Sequence, residues 1–171
     1  LAEDLLRRQS EERFHTLVRN ASDIILIVDA HGTIQYASPS VERVLGYEPQ
    51  CLTGQESFRI VHPEDQEEVR TFQANLAESP GLTRAIEFRM HHQRGEWHYV
   101  EAIATNLLAD PTVQGIVINI RDITERKEAE ERLLYQAFHD PLTDLPNRAL
   151  FMDRLHVALA RAARREEEAA I

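Results

Sequence analysis

Cysteine is nearly absent: Cys51 stands alone, so no internal disulfide can form and nothing points to an oxidising compartment. Basic residues are the next shortage, with 19 Lys and Arg against 29 Asp and Glu and a net charge of −10. Recognition of nucleic acid or of an anionic membrane surface needs clustered Lys and Arg, so both are disfavoured. Long apolar runs are missing too. The longest aliphatic stretch, Ile24 to Val28, is far short of the ~20 residues of a membrane span. Leu1 is followed by charged, helix-forming residues rather than by a signal peptide. A cytoplasmic segment is expected, and the want of an initiator methionine reads as a cut from a longer protein, any membrane anchor lying in segments not present. Glycines number 6 and none cluster, so no glycine-rich loop exists to cradle a triphosphate. What remains is 43% hydrophobic residues in 171, enough for one real core with appendages.

Residues 1–19 read as helix, free of Gly and Pro, with Leu5, Leu6, Phe14, Leu17 and Val18 among charged neighbours. From Asp23 the texture becomes β-branched, and a Gly32-containing turn joins residues 23–29 to 33–36 as a hairpin. Ser38-Pro39 supplies an N-cap and a first-turn proline for a short helix that Gly46 stops. A longer helix is predicted from His62-Pro63, with Val69, Phe72 and Leu76 on one face and Ser79-Pro80-Gly81 ending it. Strand candidates cover residues 82–91, 96–107 and 113–121. Two hairpins with helices gathered between them imply an α+β fold, the helices on one face of an antiparallel sheet. Helix returns over residues 125–138, where Ala129, Leu133 and Gln136 sit at coiled-coil spacing.

Several stretches in order carry a family resemblance: Phe14 with Leu17, Gly32 to Ser40, Leu45-Gly46-Tyr47, Val61-His62-Pro63-Glu64-Asp65, Gly95-Glu96-Trp97 and Asp122-Ile123-Thr124. Residues 13–124 thereby resemble a PAS domain of the S-box type. The resemblance implies a five-stranded antiparallel sheet in the order 2-1-5-4-3 with helices over one face, preceded by a signalling helix and followed by a helical linker. His139-Asp140-Pro141-Leu142-Thr143-Asp144-Leu145-Pro146-Asn147-Arg148 resembles the motif that opens GGDEF domains, which make cyclic di-GMP from two GTP. Residues 139–171 would then be the start of such a domain, incomplete. The same wording recurs in tandem proteins that add an EAL phosphodiesterase domain.

Phosphoryl transfer on GTP needs metal ions held by carboxylates. In that family they lie on segments beyond Ile171, so the chain itself is expected not to be an enzyme and to meet GTP only through the missing part. Asp140 and Asp144 are four apart, but local roles around Pro141 and the following helix are preferred to a metal pair. No flavin or haem is expected: Cys51 lacks the Asn-Cys-Arg setting of a LOV domain and reads as a buried spectator thiol, and His62 precedes Pro63 as a capping or surface residue. His91, His92 and His98 do not complete a zinc set. An unidentified small molecule in the pocket is left open, with two candidates to meet it. Trp97 reads as sheet-surface packing or a ligand lid, and Asn119 as a pocket polar group or a backbone partner. Asp122 and Thr124 can each cap the outgoing helix, and in PAS proteins this Asp-x-Thr step resembles the joint that turns strand movement into helix rotation. With Ala129 and Leu133 they are the expected signal-transmission residues of a homodimer. Control of a diguanylate cyclase is the leading function. A histidine-kinase input is disfavoured because Leu142-Thr143-Asp144 replaces the Arg-Thr-Pro expected after a phosphoacceptor His, and a ligand-free dimerisation module is the third alternative.

Overall fold

The computed structural model describes residues 22–140, 143–148, 150–152 and 154–157; the helix predicted over residues 1–19 lies outside them. The elements are β1 (Ile24–Val28), β2 (Ile34–Ala37), α1 (Ser40–Leu45), α2 (Pro49–Leu52), a 3-10 turn (Ser57–Ile60), α3 (Gln66–Ala77), β3 (Thr83–His91), β4 (Trp97–Leu107), β5 (Gly115–Asp122) and α4 (Thr124–Phe138). The chain divides into two units at Thr124.

In the first unit the strands form one sheet in the order β2-β1-β5-β4-β3. All neighbours are antiparallel, so the first and last strands of the domain lie side by side at its centre. Period-two alternation decides the faces. Ile24, Leu26 and Val28 of β1, Val100, Ala102 and Ala104 of β4, and Ile116 and Ile120 of β5 are buried on one side. Val41, Leu45, Leu52, Phe58, Ile60 and Leu76 from the helical segments close over them. Each such aliphatic side chain contributes about 1.5–3 kcal/mol by leaving water. The other side shows Ile103, 43% exposed, and Asn119, also exposed.

Turn chemistry sets the first hairpin. Asp29 Oδ1 accepts the backbone N–H groups of His31 and Thr33, both at 2.9 Å, and Gly32 turns through φ +91°. A Cβ at Gly32 would lie 2.6 Å from the Phe58 ring, so the position needs both the conformation and the missing side chain.

Two predicted helix starts are corrected. Pro39, not Ser38, takes the N-cap position of α1, and no side-chain cap bond forms there. Ser38 is wholly buried, and its hydroxyl accepts the Ile25 N–H (2.8 Å) and pairs with Ser40 Oγ (2.6 Å), so the sheet claims it first. Likewise α3 begins at Gln66, three residues beyond Pro63. Val61 bridges Met90 and His62 N–H donates to Arg89 O (2.9 Å), which ties the chain to the edge of β3, and a turn closed by Asp65 N–H on His62 O (2.9 Å) then leads into the helix.

In the second unit α4 has no buried residue, and a turn held by its own side chains follows. Asp140 Oδ1 accepts both the N–H and the hydroxyl of Thr143 at 2.9 Å, and Asn147 Nδ2 donates to Ala137 O at 2.7 Å. Asp144 stands at φ +59° and accepts the Tyr135 hydroxyl at 2.8 Å. Asp140 thus takes the local role expected of it, whereas Asp144 pairs back with α4 and Asn147 Oδ1 accepts the Leu150 N–H (3.1 Å) of the next helix in its place. Among the described residues no helix is long and apolar enough to cross a membrane.

Candidate sensory cavity and output joint

The helical cover leaves a cavity of about 40 Å³ between α3 and the sheet. Ile116, Ile118 and Ile120 of β5 form its floor, Phe88 and Met90 of β3 a wall, and Phe72 and Leu76 of α3 part of the roof. Gln73 and Ser57 are the polar side chains on its lining, and Gln73 Nε2 donates to Asp29 O at 3.4 Å. The volume suits a few waters or a small fragment, well below the roughly 300–1,000 Å³ of sites for drug-sized ligands.

Neither ligand candidate reaches this space. Asn119 pairs with Ile25 and Ile103 on the exposed face of the sheet, one residue out of phase with the isoleucines of the floor. Trp97 is 39% exposed at the start of β4, where the rings of His62 (4.4 Å) and His91 (5.1 Å) meet it edge-on. Of its two readings, surface packing describes this geometry. Cys51, expected buried, is exposed, because four-residue α2 turns Leu52 inward instead.

The buried polar groups that sequence reasoning passed over are Gln73 and Asn106. Asn106, 1% exposed, donates to Leu76 O (2.8 Å) and Ala77 O (3.1 Å) at the end of α3 and accepts the Leu108 N–H (3.0 Å). The signal was available: Asn106 continues the inward series Val100, Ala102, Ala104 by two.

At the end of β5 the chain enters α4, and side chains bond its first residues. Asp122 Oδ1 accepts the Thr124 N–H (2.8 Å), the helix-capping role expected of it. Thr124 turns the other way: its Oγ1 accepts the Tyr99 N–H (3.0 Å) while Ile123 N–H donates to Tyr99 O (2.8 Å). Tyr99 of β4 thus holds Ile123 and Thr124, the residues on either side of the helix start, by one bond each, with Ile123 buried. Asp122 Oδ2 also meets His98 Nδ1 at 2.7 Å. Burial pushes the Asp122 carboxyl up, but the hydrogen bonds from Thr124 and His98 outweigh it and hold the group below its usual 3.8. Further along, Ala129 is half-buried and Leu133 is 66% exposed.

The histidines of this region fall into separate contacts. His91 Nδ1 meets the Tyr47 hydroxyl at 2.7 Å, whereas His92 stacks on His98 with centroids 4.9 Å apart. Among the described residues no three His, Cys, Asp or Glu side chains are disposed to hold a metal ion.

Comparison with known proteins agrees with this architecture. Residues 34–117 match the PAS fold family. The chain is 33% identical over 82% of its length to the uncharacterized protein y4lL of Sinorhizobium fredii, of which it spans 18%. It is 27% identical over 88% of its length to the probable diguanylate cyclase DgcE of Escherichia coli, spanning 14% of that protein. It is 28% identical over 72% of its length to the sensor histidine kinase TmoS of Ectopseudomonas mendocina, spanning 13%. The chain thus spans under one fifth of the length of these relatives. The crystal structure of the PAS domain of an HTR-like protein from Haloarcula marismortui superposes with a TM-score of 0.62 at 23% identity, covering 71% of this chain and 98% of that one. The strand order, the helices on one face and the family match over residues 34–117 agree: this part of the chain has the PAS fold.

Proposed function

We propose that the chain is the input module of a diguanylate cyclase, a PAS domain whose output passes through α4 into the opening segment of a GGDEF domain. The observation that carries this reading is the run from His139 to Arg148. The extent of the likeness to DgcE supports it: a match of 154 residues is too long to end at Thr124, so it runs on into the linker and the segment beyond. The likeness to the histidine kinase covers 127 residues and makes no such demand. Residues 139–171 begin the cyclase domain and hold none of its GTP chemistry. An EAL domain further on is compatible with the same wording.

The cyclase reaction joins two GTP molecules, so the module acts as a homodimer that sets how two catalytic domains face each other. Exposed Leu133 (66%), Leu134 (61%), Tyr135 (48%) and Phe138 (42%) on α4 supply an apolar surface for the pairing. The cavity between α3 and the sheet is the place for a small signal, and its apolar lining favours an apolar one.

The test is an assay of the full-length polypeptide with GTP and magnesium. Cyclic di-GMP from the full-length protein and none from the 171-residue chain is expected. Phosphate transfer from ATP to a histidine of the full-length protein, without cyclic di-GMP, would assign the module to a histidine kinase instead.

A further inference from the structure

We propose that His92 and His98 form a proton-sensitive pair coupling the β3–β4 hairpin to the first turn of α4, so that the helix leaving the domain responds to pH. The proposal goes beyond the cyclase reading and does not depend on which output domain follows.

The geometry gives each ring one fixed partner. In the hairpin, Arg94 N–H donates to His92 Nδ1 (3.1 Å), so the neutral ring carries its proton on Nε2. The same ring lies against Gly46, where a Cβ would stand 3.2 Å from His92 Cε1, and Gln93 N–H donates to Leu45 O (2.9 Å). His92 is therefore part of the contact that docks the hairpin on the end of α1. The His92 ring also stacks on His98, with an interplanar angle of 18°. His98 Nδ1 holds Asp122 Oδ2, and Asp122 Oδ1 holds the Thr124 N–H of α4. Four groups in line thus connect a hairpin tip to a helix N-terminus.

Two protonations have different consequences. A proton on His98 makes an imidazolium that neutralises the Asp122 carboxylate, whose negative charge at the helix N-terminus favours α4. A proton on His92 has to arrive at Nδ1, where it removes the acceptor of the Arg94 N–H and sets two cations face to face. The charged and titratable groups around His92 are His98, Arg94 and His91, which oppose that proton, and Glu96, which favours it; Asp122 faces His98 from β5. Burial first, then His98 and Arg94, hold His92 below its usual 6.5. The sign follows: the neutral-His92 contact is fully present above that value and is lost progressively as pH falls below it.

The experiment is a pH titration from about 8 to 5 of the backbone amides of the intact chain by NMR, with His92→Gln and His98→Gln alongside. Coupling predicts that the Arg94 and Thr124 amides both move in the wild type. In His98→Gln, which keeps a donor for Asp122, the Thr124 step disappears. The Arg94 step of the same variant moves to higher pH by about half a unit or more, the share of a removed neighbouring charge, and in His92→Gln the Thr124 step survives. An Arg94 profile unchanged by His98→Gln, or a Thr124 step that persists in His98→Gln, overturns the proposal. Should either variant unfold, the imidazole Cε1–H resonances of His92 and His98 in the wild type decide it. Mutually shifted, two-step curves sustain the coupling, and independent single steps refute it.

Discussion

Asn106 shows how one side chain can hold three segments. Its amide ends α3 by taking two of the carbonyls that every helix leaves without partners, and its oxygen starts the turn after β4. Asn106→Leu keeps the volume but orphans those carbonyls and the Leu108 N–H. It is expected to lower stability by about 1–3 kcal/mol in urea unfolding; a variant as stable as the wild type would show that water replaces the amide freely. Asp65 offers a second residue-scale test, since its carboxylate receives both the backbone N–H of Arg89 (2.9 Å) and its guanidinium (2.7 and 2.9 Å). The Arg89 bond, set against a smaller effect of burial, holds Asp65 below its usual 3.8. The resulting stability is present above that value and lost as pH falls through the lower folded one. The melting temperature of Asp65→Asn should therefore lie below the wild type near pH 6, with the gap closing toward pH ~2.5; a gap independent of pH would rule the carboxylate charge out. The alternation of β4 places Asn106 inward, but neither residue's partner was legible in the sequence, because Arg89 and the end of α3 are 24 and 30 positions away.

Elements were more legible where the signal is local. Gly46 reads as a helix stop from the short amphipathic run before it, and it is one: φ +79°, with its N–H donating to Glu42 O at 3.0 Å. The β3–β4 hairpin follows from Gln93-Arg94-Gly95 and the alternating strands beside it. That Gly46 and this hairpin touch is a tertiary fact no local pattern carries. A Cβ at Gly46 would stand 3.2 Å from both Gln93 Cβ and His92 Cε1, whereas one at Gly54, also at positive φ (+81°), would meet nothing within 4 Å. Both Gly→Ala changes carry the backbone cost of a left-handed residue, about 1–2 kcal/mol. Gly46→Ala must also push the hairpin aside, so it should be the more destabilising of the pair in thermal unfolding. Equal losses would mean that the hairpin yields without cost, which would also weaken the case for His92 as a rigid link. The helix starts failed for the opposite reason. Ser38 and His62-Pro63 carry real capping signals, but a sheet N–H and the edge of β3 compete for those residues and win.

At the scale of the whole molecule, hairpins and helix order follow from periodicity, but the insertion of β5 between β1 and β4 came only from resemblance, since pairing between distant strands leaves no local trace. The output helix poses the same problem in one dimension. Residues 124–138 of α4 bury no side chain of their own, yet expose Leu133, Leu134, Tyr135 and Phe138. If Ala129 and Leu133 form a seam with a second copy, that seam lies beyond the point where Tyr99 holds Ile123 and Thr124 at the start of α4. Phase can be changed without touching either. Seven helical residues inserted after Gln136 restore the heptad register, whereas four rotate everything downstream by about 50°. In the full-length protein, on the proposed cyclase reading, the seven-residue insertion is expected to keep regulated cyclic di-GMP synthesis. The four-residue insertion should hold output constantly high or constantly low, with the PAS domain's thermal unfolding unchanged. Polar Gln136 weakens such a seam and lets the pairing differ between signalling states, which is what a regulated joint requires. Equal regulation by both insertions would reduce α4 to a tether, and the signal would have to leave the PAS domain by another surface.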